Sequence, residues 1–258
     1  MQTAQGTVRS ADGTEITFER SGSGPAVVMV DPAGGYSGFD SIRGLGAVLS
    51  AEGFTVHTYD RRGRGKSGDT VPYTIAREIE DLAAMIAAAG GTALVYGLSS
   101  GALLALHAAA AGLPIRQLAL FEPPVRAEDE PPDTAFTAEI AALVASGRRA
   151  AAVNRFLTGI GVPAEMLTEP MPALEAVAHT LVYDCEISNA TTYTLLRSVR
   201  TPTLVLDSHG SSNYLTDGTA ALVEALPNGT GRSLPGEWHR VPDKELAPVV
   251  ADFFRGHP

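Results

Sequence analysis

Among the residues able to do chemistry, Ser99 stands out, because it occupies the centre of Gly97-Leu98-Ser99-Ser100-Gly101 between an apolar β-rich run, Ala93–Tyr96, and an Ala/Leu-rich helical stretch beginning at Ser100. A strand–tight turn–helix context makes this five-residue pattern informative: flanking glycines permit a turn sharp enough to lift Ser99 Oγ above a sheet, at the positive end of the following helix. A serine hydroxyl is a poor nucleophile at neutral pH and needs a neutral imidazole to take its proton. His239 is the best candidate, in Leu234-Pro235-Gly236-Glu237-Trp238-His239-Arg240, a loop after the last short strand and before the C-terminal helix. His57, His107, His179 and His257 read as strand, helix, helical-insertion and tail residues, and His209, in a loop, is the one rival.

The elements that must position these residues alternate. Strands are expected at Thr7–Arg9, Ile16–Arg20, Ala26–Val30, Thr55–Tyr59, Ala93–Tyr96, Leu118–Phe121, Thr203–Leu206 and Arg232–Leu234. The runs from Ala26 onward are continuously apolar, as in strands buried on both faces, and helical patterns separate them near Ser41–Ala51, Ile75–Ala89 and Ser100–Ala111. Repeated right-handed crossovers of this kind give a mostly parallel sheet with helices on both faces, preceded here by a hairpin around Asp12-Gly13. The alternation breaks after Pro123, where a Pro- and acid-rich stretch leads into helical segments near Thr134–Ser146, Arg149–Thr158 and Pro172–Tyr183, and Thr201-Pro202 restarts the sheet. The division is therefore a core of residues 1–124 and 199–258 with a helical cap inserted over 125–198. Two last helices are expected at Asp217–Leu226 and Lys244–Phe254.

Composition narrows the classes. The 258 residues are 45% hydrophobic and 19% charged, the balance of a folded domain. A formal net charge of −10 argues against a nucleic-acid partner, which would draw affinity from clustered Lys and Arg. The single Cys185 offers neither an internal disulfide nor zinc-ligand spacing, so no metal is expected. No window approaches the roughly 18 apolar residues of a membrane span, and Met1 to Arg20 lacks an apolar stretch behind a basic start. A cytoplasmic protein without a membrane partner is the expectation; the oligomeric state is not legible.

The densest basic run, Asp60-Arg61-Arg62-Gly63-Arg64-Gly65-Lys66-Ser67, resembles the Asp-x-Arg-Gly-x-Gly-x-Ser loop of the α/β-hydrolase superfamily, and the nucleophile elbow, insertion and late histidine follow in that superfamily's order. Gly65-Lys66-Ser67 imitates the end of a phosphate-binding loop, but the earlier glycine that such a loop requires falls on Asp60. The resemblance spans essentially the whole chain and implies an eight-stranded, mostly parallel α/β-hydrolase sheet with a helical cap. It reads the basic run as a turn, with Asp60 bonded to loop backbone.

The resemblance also implies a triad acid, and here the chain departs from the commonest pattern: the position a few residues beyond the next-to-last strand falls on Ser211. Some α/β-hydrolases carry the acid at the end of the preceding strand, where Glu122 stands; Asp207, one register step from the usual place, is the alternative, and no conventional acid is the third possibility. The oxyanion hole would use the N–H groups of Ser100 and Ala33. The latter lies in Asp31-Pro32-Ala33-Gly34-Gly35 where relatives often read His-Gly-x, and Asp31 is expected to turn into loop hydrogen bonds. The implied activity is hydrolysis of a small carboxylic ester or lactone through an acyl-enzyme, with no cofactor. Phe156, Met166, Leu167, Met171, Leu181 and Tyr183 are candidates to line a pocket beneath the cap. The same scaffold hosts perhydrolases, carbon–carbon bond hydrolases and thioesterases, and a catalytically silent small-molecule binding protein is the rival from another class.

Overall fold

The computed structural model describes residues 3–256. Eight strands form one sheet: β1 (Ala4–Arg9), β2 (Glu15–Gly22), β3 (Ala26–Val30), β4 (Thr55–Tyr59), β5 (Ala93–Leu98), β6 (Ile115–Phe121), β7 (Thr203–Ser208) and β8 (Gly229–Leu234), in the spatial order β1-β2-β4-β3-β5-β6-β7-β8. β1 and β2 are the expected antiparallel hairpin, β2 runs antiparallel to β4, and every pairing from β4 through β8 is parallel.

Parallel neighbours require crossovers, and α1 (Arg43–Ala51), α2 (Ile75–Ala88) and α3 (Ser100–Ala110) supply the first three. Successive strand residues face opposite sides, so Val28 and Val30 join one apolar layer with Leu82, Met85 and the buried run of α3. Val27 and Met29 join the other, with Leu45 and Leu49 of α1 and Val250 and Phe254 of α10 (Asp243–Phe254). The polypeptide leaves β3 to one side to make β4 and returns past it to make β5. That reversal makes the carboxyl ends of β3 and β5 a switch point, the kind of place where open α/β sheets bind ligands.

Between β6 and β7 lie α4 (Thr134–Ala145), α5 (Arg149–Gly159), α6 (Pro172–Ala176), α7 (Leu181–Ala190) and α8 (Tyr193–Ser198), and α9 (Asn213–Ala225) follows β7. The single helix expected over Pro172–Tyr183 is instead two, parted by a tight turn at Ala178–Thr180 in which Thr180 Oγ1 donates to Val177 O at 2.9 Å. Helix α8 was not anticipated, and α9 begins at Asn213 rather than Asp217. Ile140, Val153, Phe156, Leu174 and Leu181 give the inserted helices an apolar centre of their own, against which Ala33 and Tyr36 of the core pack.

The run after β4 is more than a turn. Asp60 accepts from the backbone N–H of Ser37 (2.7 Å) and Lys66 (3.0 Å), as expected, but Arg61, Arg62 and Arg64 are buried to 1% exposure or less. Arg62 makes a two-pronged pair with Asp81 of α2 at 2.8 and 2.7 Å. Among the described residues no helix is long and apolar enough to cross a membrane.

Helix α3 is enclosed along most of its length, with Leu103, Leu104 and Leu106 fully buried. Leu104→Ala is expected to lower the unfolding free energy by about 2–5 kcal/mol, the cost of lost burial plus an incompletely collapsed cavity, read from urea-induced unfolding.

Candidate active site

Because β5, β6 and β7 are parallel and adjacent, the residues following them meet at one edge: Leu98 pairs with Phe121, and Phe121 with Leu206. Ser99 therefore stands next to Glu122. The turn at Ser99 is sharp (φ 54°, ψ −121°), and glycines make it possible. A methyl on Gly97 would lie 2.6 Å from Ala102 Cα, and one on Gly101 would lie 2.4 Å from Val30 O and 2.5 Å from Asp31 O. The second approach seats the start of α3 against the end of β3, bringing Ser100 beside the Asp31–Gly35 loop.

Glu122 is fully buried, and its backbone N–H extends the ladder to Leu206 O at 2.8 Å. Its Oε2 lies 2.5 Å from His239 Nδ1, while Oε1 accepts from Ser208 N–H at 2.7 Å and from Ser211 Oγ at 2.6 Å. Ser211 Oγ accepts in turn from the backbone N–H of His239 at 2.9 Å. The serine at the commonest acid position thus braces both members of the carboxylate–imidazole pair, a role the sequence did not reveal. An ionised carboxylate only accepts, so the proton of a neutral His239 sits on Nδ1 and Nε2 is left as the basic nitrogen. Phe121 and Trp238 flank the imidazole, with ring centroids 6.2 and 5.3 Å away.

Asp207 is elsewhere: its Oδ1 accepts from Ser233 Oγ across β7–β8, and burial raises its carboxyl above the usual range. His209 is exposed, His107 bonds Thr191 Oγ1 at 3.0 Å, His179 lies 3.5 Å from Asp69 Oδ2, and His57 is buried in β4. His257 lies outside the described residues. Ser99, Glu122 and His239 are the non-glycine residues with positive φ (54°, 44° and 52°) among the described residues. Backbone of this kind costs on the order of 1–3 kcal/mol per residue, and persists where surrounding structure enforces it.

Ala33, the other candidate donor, lies in a loop held by arginines. Arg64 Nη1 donates to Pro32 O at 2.6 Å and to Gly35 O at 3.3 Å, and Arg61 Nη1 donates to Asp31 O at 3.2 Å. Both guanidinium groups converge on Asp184 of α7, at 2.9 Å from Arg61 and 2.7 Å from Arg64, and Ser100 Oγ donates to the same carboxylate at 2.8 Å. Burial works to raise the Asp184 carboxyl, but Arg64 and Arg61 beside it hold it below the ordinary range. Arg61 also forks onto Glu78 at 2.8 and 2.7 Å.

Of the six expected pocket residues, three share one apolar cluster and three do not. Phe156 and Leu181 are centre residues of the inserted helices, with Met171 packed against them, and Met166 is 51% exposed on the outside. Leu167 is half-buried. Tyr183 stacks on Tyr73 at 3.8 Å and donates to Asp69 Oδ2 at 2.9 Å, so its polar end is engaged by that carboxylate.

The family model for the "Alpha/beta hydrolase family" matches residues 27–252. The chain belongs to the alpha/beta hydrolase family. An alpha/beta hydrolase from Sphaerobacter thermophilus DSM 20745 is 47% identical, superimposes with a TM-score of 0.89, and the match covers 96% of this chain and 100% of that one. A hydrolase from Pseudomonas aeruginosa PA01 (21% identity, TM-score 0.75, 98% of both chains) has the same fold. So does an enol-lactonase from Burkholderia xenovorans LB400 (20% identity, TM-score 0.74, 96% of this chain and 99% of that one). Comparison with curated proteins gave no match. This alpha/beta hydrolase carries, in the loop after β3, a buried acid that departs from the expectation, Asp31.

Asp31 does not enter loop hydrogen bonds. Its carboxylate is wholly buried with neither oxygen hydrogen-bonded, and its nearest cation, Arg43 Nη1, is 3.6 Å away. Burial pushes the carboxyl up to about 7, over the pull of Arg43 and Arg64 and with a further push from Asp40 and Asp60. Between the ordinary carboxylate range and pH 7 the folded state keeps a proton that the unfolded chain has released, so this group lowers stability by about 1.4 kcal/mol per pH unit until the slope ends near 7. Asp31→Asn removes that slope. Its melting temperature is expected to exceed the wild type's by a margin that widens from pH 5 to pH 7 and is constant from pH 7 to pH 8.5 in thermal melts.

Proposed function

We propose that the protein is a serine hydrolase acting on a small carboxylic ester or lactone through an acyl-enzyme on Ser99. The observation that carries this reading is the concurrence of Ser99, Glu122 and His239 at one sheet edge in the positive-φ backbone common to all three, with the Glu122 carboxylate on His239 Nδ1 at 2.5 Å. A pure receptor has no use for an imidazole tautomer set by a buried carboxylate beside an elbow serine.

In this mechanism His239 Nε2 takes the proton of Ser99 Oγ as the oxygen bonds to the substrate carbonyl carbon. Negative charge passes to the carbonyl oxygen, where the N–H groups of Ser100 and Ala33 receive it, and Glu122 stabilises the imidazolium. Collapse breaks the bond to the alcohol, which leaves with the proton from His239. Water, deprotonated by the same nitrogen, then releases the acid and restores Ser99. Esters and lactones share these steps and differ only in whether the alcohol stays tethered. The inserted helices would act as the cap that selects between them.

A fluorophosphonate tests the nucleophile without a known substrate, since Ser99 Oγ displaces its fluoride. Stoichiometric labelling mapped to Ser99, absent in Ser99→Ala and lost in His239→Ala, is expected by intact-mass spectrometry with peptide mapping. No labelling of the folded wild type would overturn the reading. Glu122→Gln is expected to lower kcat on an activated ester by roughly two to four orders of magnitude, with Asp207→Asn within about threefold of wild type, in steady-state kinetics.

A further inference from the structure

We propose that Asp184, a residue of the inserted helix α7, is a positioning residue that aims the oxyanion hole of the core, acting through Arg64 and the Pro32 carbonyl. The inference rests on the serine-hydrolase reading above and specifies how its charge-stabilising donors are held.

The geometry runs through one peptide unit. A trans peptide is planar, with its C=O and N–H pointing in opposite directions, so whatever holds the Pro32 oxygen also fixes where the Ala33 N–H points. Arg64 Nη1 holds that oxygen at 2.6 Å, and its second bond, to Gly35 O at 3.3 Å, fixes the far side of the same loop. A charged donor at this distance makes a strong, directional bond. The Gly35 N–H closes a turn onto the same oxygen at 3.0 Å, and Arg64 is the donor that ties that turn to the rest of the core and to the insertion.

Arg64 is itself held from the insertion. Its Nη2 donates to Asp184 Oδ2 at 2.7 Å and its Nε to Thr180 Oγ1 at 3.2 Å, so both acceptors on that side of the guanidinium belong to the segment Thr180–Asp184. The other Asp184 oxygen accepts from Ser100 Oγ at 2.8 Å and from Arg61 Nη1 at 2.9 Å, and Arg61 reaches Asp31 O at 3.2 Å. One carboxylate therefore ties together the residue that follows Ser99 and the loop that carries Ala33. Asp184 and Arg64 are each 3% exposed or less, so water does not loosen the arrangement.

The test separates aim from mere stability. Asp184→Asn keeps size and removes charge; Arg64→Lys keeps a buried cation for Asp184 but cannot hold Asp184 and the Pro32 oxygen with one planar fork. Asp69→Asn is the control: it removes the charge that Asp69 presents to Tyr183 and His179, another joint between core and insertion, without touching the Pro32 loop. For each protein, active sites are counted by fluorophosphonate labelling. Then kcat and KM for p-nitrophenyl acetate, and the dissociation constant of phenylboronic acid, are measured well below the melting temperature. Ser99 Oγ adds to the boron and its proton passes to His239, giving a tetrahedral adduct whose oxygen occupies the hole.

Expected are a fall of tenfold or more in kcat per labelled site for Asp184→Asn and Arg64→Lys, KM within threefold, and boronate affinity weakened in step with kcat. Asp69→Asn should stay within twofold on all three. A purely structural role would reduce the number of labelled sites or the melting temperature and leave kcat per site unchanged, which would overturn the proposal. If Asp184→Asn does not fold, Arg64→Lys decides alone. A wild type that neither labels nor turns over would fail earlier, at the serine-hydrolase reading, and take this proposal with it.

Discussion

The structure around the candidate site depends on a closed set of buried charges: Glu78 and Asp184 against Arg61 and Arg64, with contacts between 2.7 and 2.9 Å and exposures of 3% or less. Four ions removed from water would be prohibitive singly, and they are tolerable because two positive and two negative groups saturate one another and spend their remaining donors on carbonyl and hydroxyl oxygens. The four come from three pieces of the fold: α2, the loop after β4 and the inserted α7. Their mutual satisfaction demands that all three, with the elbow helix and the loop after β3, reach one point together. An apolar core could bring these elements near each other; only directional, charge-bearing bonds specify their distances.

Against that rigid background the strained residues make sense. Ser99, Glu122 and His239 each hold positive φ on a side chain larger than glycine's hydrogen, and the backbone N–H of each is tied down, to Phe121 O, Leu206 O and Ser211 Oγ respectively. The close approach of Gly97 to Ala102 and of Gly101 to Val30 and Asp31 converts packing of α3 into the turn at Ser99. Burial energy in the helix is thereby the source of the strain at the serine.

Much of this was legible in the sequence, and the rest failed for identifiable reasons. Ser99 and His239 could be read because their context is local: a glycine-bracketed serine between strand and helix, and a histidine between the last strand and the last helix. Glu122 could be read because Ser211 stood at the commoner acid position, although the bracing by Ser211 Oγ could not. The strands were found nearly in place, but periodicity alone does not see a turn within Pro172–Tyr183, where Thr180 diverts the ladder with its own hydroxyl. Helix α8 was missed despite a cap signal, Thr192 accepting from Leu195 N–H at 3.2 Å, because six residues hold too few periods. Asp184 was invisible: its partners lie 84 to 123 positions away, and nothing nearby marks it apart from other acidic residues on a helix. The basic run carried half the signal, since three arginines beside glycines imply acceptors somewhere, but the acceptors had to be seen.

The position of Asp184 bears on modularity. Insertions between β6 and β7 are commonly pictured as exchangeable lids, grafted onto a core that is complete without them. Here the inserted helices supply one of the two anions that balance Arg61 and Arg64 of the core. A chimaera that kept this core and borrowed another relative's helices would inherit a buried Arg64 without its counter-ion, Arg61 keeping Glu78, unless the graft carried a carboxylate to the same point. In this chain the inserted helices and the core are joined by charge as well as by packing, so α7 is the part of the insertion least free to change.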